Sequence, residues 1–276
     1  MPILNHVTLF GLPAAKNLDI AVLGIPFDST QSAFVGSRHG PLLIRLASKT
    51  LNEFSLFFKR SVSEFPISDW GDVEVIHGGF LETMQKVREA LGTIGAKKYL
   101  FLGGDHSITI MTLQHLHNQV KMYVHIDADP DFEDTYQELK YSHGCTLRRA
   151  GELLGYDRVV LLGYRTGIPE ELKALEEFGV EAYSTYDILE NEAVLKDIFK
   201  KADYISFDLD VFDPAYAPDV GTPEPFGLPP NLLLRYLKYL RPKFADIVEL
   251  TGGELRSTTA TLAAAIAREL LIAMST

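Results

Sequence analysis

The chain has one cysteine, Cys145, in 276 residues. No internal disulfide can form, so stability must come from a buried core, and a reducing cytosol fits best. Basic residues are the scarcer charge, 26 Lys and Arg against 37 Asp and Glu, leaving a formal charge of −11. That balance argues against nucleic acid or anionic membrane as the main partner and favours cationic ligands. No apolar run approaches the ~18–20 residues of a membrane span. The opening MPILNHVTLFGLPAAK lacks the basic, then apolar, then small-residue order of a signal peptide. A soluble, cytoplasmic protein is expected. No internal repeat, low-complexity tract or Gly/Ser linker divides the chain, which reads as one domain over 1–276.

What is present is an alternation of short apolar runs with longer segments of helical spacing, in a chain that is 46% hydrophobic. Strands are predicted at 19–25, 72–76, 98–102, 122–126, 158–162, 180–183, 204–207 and 245–249. Helices are predicted at 42–50, 81–91, 108–117, 170–178, 186–199, 232–240 and 258–273. Strands that are apolar throughout and separated by helices indicate an α/β fold with a parallel sheet covered on both faces. Eight strands fit either a closed barrel or an open three-layer sheet, and periodicity does not separate the two.

Unusual polar residues stand at the ends of four of these strands. His106 follows one; Asp127, Asp129 and Asp131 follow a second; Asp208 and Asp210 end a third; Glu249 ends a fourth. Parallel α/β sheets bind ligands at the carboxyl ends of their strands. In an extended backbone, residues i, i+2 and i+4 share a face, so the three aspartates of Asp127-Ala-Asp129-Pro-Asp131 converge. Asp208-Leu-Asp210 repeats the spacing. Five carboxylates crowded together repel strongly unless cations sit among them. Oxygen ligands with one imidazole suit Mn²⁺ better than Zn²⁺. Shared carboxylates suggest two ions about 3.5–4 Å apart bridging a water.

Other readings fit less well. Residues 127–138 nearly spell an EF-hand loop, but its sixth position is Phe132 rather than glycine and a strand precedes it. Cys145 beside His143 lacks an orienting acid motif for thiol catalysis. His125 shares a strand face with Asp127 and reads as a buried neighbour of the site rather than a ligand. His6, His39, His77, His115 and His117 have no such context.

Together these segments resemble the ureohydrolase (arginase/agmatinase/formiminoglutamase) family over nearly the whole chain, closest to its agmatinase-like branch. The matching motifs are GGDHS at 103–107, SFDLDVFDP at 206–214, SHG at 142–144, GIPFD at 24–28, GSRHGPLLIR at 36–45 and APDVGTPE at 217–224. The resemblance implies the open three-layer αβα fold with a mainly parallel eight-stranded sheet, and a homotrimer or homohexamer. It implies two Mn²⁺ per subunit, other divalent ions being possible, at His106, Asp127, Asp129, Asp131, Asp208 and Asp210. It makes Glu249 the holder of a small cationic guanidino substrate. Asp131 then takes a proton and His143 relays one to the departing amine.

Departures from the pattern bear on substrate and metal. Asp129 stands where the family's DAHxD motif has histidine, which sets five carboxylates against two ions instead of four. The added charge is expected to make a bound water harder to ionise. Phe226-Gly227 replaces a Gly-Gly pair, and LTGGEL after Glu249 lacks the family's proline. The acidic loop carrying Glu133, Asp134 and Glu138 favours an amine-tailed substrate, agmatine, over arginine, guanidinobutyrate or formiminoglutamate. Two other classes stay open: a metal-dependent amide hydrolase such as a deacetylase, and a silent relative that has lost the second metal through Asp129.

Overall fold

The computed structural model describes residues 7–16, 18–252 and 257–276. Among them lie strands β1 (Ile20–Ile25), β2 (Phe54–Ser55), β3 (Arg60–Ser61), β4 (Ile67–Asp72) and β5 (Lys98–Gly103). These are followed by β6 (Tyr123–Ile126), β7 (Val159–Tyr164), β8 (Glu181–Ser184), β9 (Tyr204–Asp208) and β10 (Phe244–Val248). The helices are α1 (Gly40–Ser48), α2 (Phe80–Ile94), α3 (Ile108–Leu116), α4 (Thr146–Leu154) and α5 (Pro169–Phe178). Then come α6 (Thr185–Glu190), α7 (Val194–Lys201), α8 (Pro230–Leu237) and α9 (Thr258–Ser275).

Eight strands form one sheet in the order β4-β1-β5-β10-β9-β6-β7-β8, every neighbouring pair parallel. Its outer strands, β4 and β8, do not meet, so the sheet is open and the barrel alternative falls. β2 and β3 form a separate antiparallel hairpin. Alternate side chains of the central strands feed two cores. Val22, Leu100, Ile126, Ile205 and Ile247 pack under α1, α6, α7, α8 and α9. Ala21, Phe101, Tyr123, Tyr204 and Phe244 pack under α2, α3, α4 and α5. Burial on both faces is why these strands read as continuous apolar runs.

Several expectations need correction. The second strand of the sheet is Ile67–Asp72, not 72–76. Its pattern is masked by Asp69, which is buried and accepts from Arg45 Nε at 2.8 Å, Arg45 Nη2 at 2.9 Å and Leu9 N at 2.7 Å. The helix expected over 186–199 is two, α6 and α7, broken at Asn191, whose backbone leaves the helical region. Helix α4 is not among the helices expected from the sequence: its buried stripe, Leu147, Ala150, Gly151 and Leu154, holds only two large apolar side chains, and Arg149 is buried beside it. Helix α9, at 18 residues and a mean hydropathy of 1.2, has the length and composition of a membrane span, contrary to the sequence reading. Two-thirds of it is buried, 67%, and it packs on α1 and the sheet.

Candidate metal centre

The carboxyl ends of β5, β6, β9 and β10 deliver the polar residues to one cavity of about 230 Å³. His106, Asp127, Asp129, Asp131, His143, Asp208, Asp210 and Glu249 all line it. The turn after β5 passes so close to the turn after β1 that a Cβ on Gly104 would lie 1.9 Å from the Phe27 carbonyl oxygen. Only glycine fits there, and the contact sets the backbone that presents His106.

His106 Nδ1 lies 2.8 Å from Asp127 Oδ2, 3.1 Å from Asp208 Oδ2 and 3.3 Å from Asp131 Oδ2. Its tautomer follows from the groups behind it. Ser206 Oγ donates to Asp246 Oδ1 and so accepts from His106 Nε2 at 2.8 Å. Nδ1 is therefore a bare lone pair aimed at three carboxylates, buried and without a hydrogen-bond partner. Asp246 also accepts from Tyr204 Oη at 2.6 Å and Thr109 Oγ1 at 2.8 Å, which holds this support in place.

His125 stacks on His106 with ring centroids 4.3 Å apart. Its Nδ1 meets the Tyr123 hydroxyl at 2.7 Å, and its Nε2 lies 3.0 Å from Asp127 Oδ2. Burial, then the neighbouring His106, pushes its pKa down to about 4, and its Nε2, like His106 Nδ1, is buried without a hydrogen-bond partner. The donor atoms form two groups sharing Asp127: His106, His125, Asp127 and Asp131, and Asp127, Asp208 and Asp210. Asp129 belongs to neither among the described residues, although it lines the same cavity.

The charges are strongly perturbed. Burial first, then mutual repulsion, pushes Asp131, Asp208 and Asp210 well above the usual carboxylate range. Burial, with Asp127 and Glu171 adding to it, raises Asp129 to about 7. Crowded carboxylates around an unprotonated imidazole nitrogen are a donor set that a hard divalent cation satisfies.

Glu249 sits in the left-handed region at φ 65. Its Oε1 accepts from His106 N at 2.7 Å and its Oε2 from Gln31 Nε2 at 2.7 Å. The Gln31 amide cannot flip, since its Oε1 accepts from Gly36 N at 2.9 Å and Ser37 N at 3.2 Å. Burial, then Asp105, raises Glu249 to about 8. His143 is anchored by a relay. Thr30 Oγ1 donates to Asp105 Oδ2 at 3.0 Å and so accepts from His143 Nδ1 at 3.2 Å, leaving Nε2 as the ring's basic nitrogen.

Sequence reasoning missed Gln31, Thr30 and Asp246. Asp246 alone had a signal, as the one charge inside the apolar strand FADIV. Cys145 is buried beside the Leu139 carbonyl at 3.7 Å, and burial pushes its thiol up to about 11, which removes the thiol-nucleophile reading. A strand, β6, leads into Asp127, which removes the EF-hand. His39, His77, His115 and His117 lie away from the cavity lining, and His6 is outside the described residues.

The profile of the arginase family matches residues 18–273. An agmatinase of Pyrococcus horikoshii is 35% identical over 257 residues, covering 90% of this chain and 89% of that protein. An N(1)-aminopropylagmatine ureohydrolase of Thermococcus kodakarensis is 33% identical, covering 92% and 90%. The crystal structure of agmatine ureohydrolase of Thermoplasma volcanium superposes with a TM-score of 0.88 at 32% identity, covering 99% of this chain and 95% of that one.

Proposed function

This chain belongs to the arginase family of ureohydrolases, and on that premise we propose that its substrate is agmatine, cleaved to urea and putrescine. The cavity lining carries the reading. It offers carboxylates at several points and, among the described residues, no Lys or Arg to receive a substrate carboxylate. An amine-tailed guanidine fits such a wall, whereas arginine, guanidinobutyrate or formiminoglutamate brings an unpaired anion into it. The deacetylase alternative fits poorly, because Glu249 as a fixed carboxylate suits a guanidinium rather than a neutral amide.

In this reading His106, Asp127, Asp131, Asp208 and Asp210 would hold two Mn²⁺, with Asp129 as the sixth ligand. When bound, such ions lower the pKa of water so that hydroxide is available near neutral pH. The protein's own groups supply the rest. Glu249, clamped by the His106 backbone and Gln31, pairs with the guanidinium and orients its central carbon. Asp131 takes the proton released on attack. His143 Nε2 relays a proton to the leaving amine, with Nδ1 held by Thr30. The same reading carries a cytoplasmic homotrimer or homohexamer.

A second reading, a catalytically impaired relative, is favoured by one observation: Asp129 lies outside both donor groups. Counting bound manganese per chain separates the two, since two ions support the enzyme and one or none supports the impaired form. The substrate is tested by urea release from agmatine, arginine, 4-guanidinobutyrate and guanidine with Mn²⁺ present. The highest kcat/KM is expected for agmatine; a preference for a carboxylate-tailed substrate sinks the assignment.

A further inference from the structure

The acidic loop after β6 reads in the sequence as one rim, but the structure separates its three acids. Asp134 is already neutralised, with Arg149 Nη2 at 2.8 Å and Arg148 Nε at 3.6 Å. Glu138 is exposed and does not line the cavity. Glu133 does line it. Its backbone is pinned through Glu133 N to the Gly144 carbonyl at 3.1 Å, while its half-buried carboxylate has no hydrogen-bond or ion-pair partner among the described residues.

The rest of the wall shows why this oxygen pair is the available one. Glu171, the neighbouring acid, is braced by Phe132 N at 3.0 Å and Ile168 N at 3.4 Å, whereas no donor meets the Glu133 carboxylate among the described residues. Asp127, Asp131, Asp208 and Asp210 form the donor groups, Asp129 lies beside them and is the sixth ligand in the reading above, and Glu249 is committed to the guanidinium end. Apolar surface also lines the cavity, from Phe34 and Tyr136. Tyr136 donates to Ser32 Oγ at 2.9 Å and packs its ring on His143 at 4.9 Å, tying the two loops together. The wall thus offers a carboxylate for a guanidinium, apolar rings for a methylene chain, and a second, unpaired carboxylate.

We propose that Glu133 is the specificity-determining residue of the cavity, receiving the ammonium at the end of the substrate remote from the guanidinium. The enzyme then selects guanidines with a distal amine over those ending in alkyl or carboxylate groups. The inference rests on the reading of the cavity as a guanidine-cleaving site.

The test compares agmatine, butylguanidine and 4-guanidinobutyrate on the full chain loaded with Mn²⁺, in the parent, Glu133→Gln and Glu133→Lys. Bound manganese and melting temperature, measured on each, confirm that the fold and site persist. Glu133→Gln is expected to lower the agmatine-to-butylguanidine ratio of kcat/KM about tenfold, through KM rather than kcat. Glu133→Lys is expected to raise the guanidinobutyrate-to-agmatine ratio about a hundredfold, because an attraction becomes a repulsion and the reverse. Unchanged ratios in variants that still cleave agmatine overturn the assignment of Glu133, as do equal losses on all three substrates. A parent protein that releases urea from none of them overturns the guanidine-cleaving reading itself, and this inference with it.

Discussion

Replacing Asp129 by Asn removes one carboxylate from the crowded cavity, and the effect should have opposite signs in metal-free and metal-loaded protein. Asp129 is raised from 3.8 to about 7, by burial first and then by Asp127 and Glu171. A shift of about 3 units corresponds to ~4 kcal/mol, and because the side chain is only partly buried, screening reduces this to about 2 kcal/mol. With the folded pKa raised, the metal-free folded chain binds a proton more tightly than the unfolded chain. Stability is therefore lost as pH rises from the ordinary value of 3.8 through about 7, and is level above that. Asparagine does not titrate, so the EDTA-treated variant should exceed the parent by about 2 kcal/mol at pH 8, roughly 4–8 °C in melting temperature, and match it near pH 4. With Mn²⁺ the order should reverse, because the lost charge weakens cation binding. Thermal unfolding followed by circular dichroism between pH 4 and 9, with EDTA or Mn²⁺, reads both effects. A metal-free variant no more stable than the parent at pH 8, or equally stabilised at pH 4, refutes the charge-crowding argument.

Three further outcomes follow from particular contacts. Gln31→Met removes the donor to Glu249, so KM for a guanidine substrate should rise about tenfold with bound metal unchanged; an unaltered KM contradicts the clamp. Phe226 is 72% exposed at φ 67, so Phe226→Gly should raise the urea unfolding midpoint by an amount equivalent to about 0.5–1 kcal/mol. Arg45→Met leaves buried Asp69 unpaired and should cost about 3–5 kcal/mol, part of it recovered in the double variant with Asp69→Asn.

How far the sequence reveals this protein depends on where each contact partner lies along the chain. Strands β5, β6 and β9 are readable because both faces are buried and their composition is apolar throughout. β4 is hidden by the buried Asp69–Arg45 pair, whose sense appears only when α1 is docked. The aspartates of the centre are readable as carboxylates clustered at strand ends, but not from period-two spacing: β6 stops at Ile126, Asp131 turns into the left-handed region at φ 49, and Leu209–Val211 is a 3-10 turn. The Gln31 clamp is not, since its partner Glu249 lies 218 residues away and no local pattern marks either end of the bond. Asp129 shows the remaining gap: its residue type and its unusual charge are plain in the sequence, whereas its place outside both donor groups is visible only in the folded chain.

The most direct test of the account is a titration of the metal-free chain with Mn²⁺, following urea released from agmatine at each step. Urea production is expected to rise to a plateau at about two ions per chain, and His106→Ala is expected to abolish it. Urea release that is independent of metal, or absent at every Mn²⁺ concentration, would contradict it.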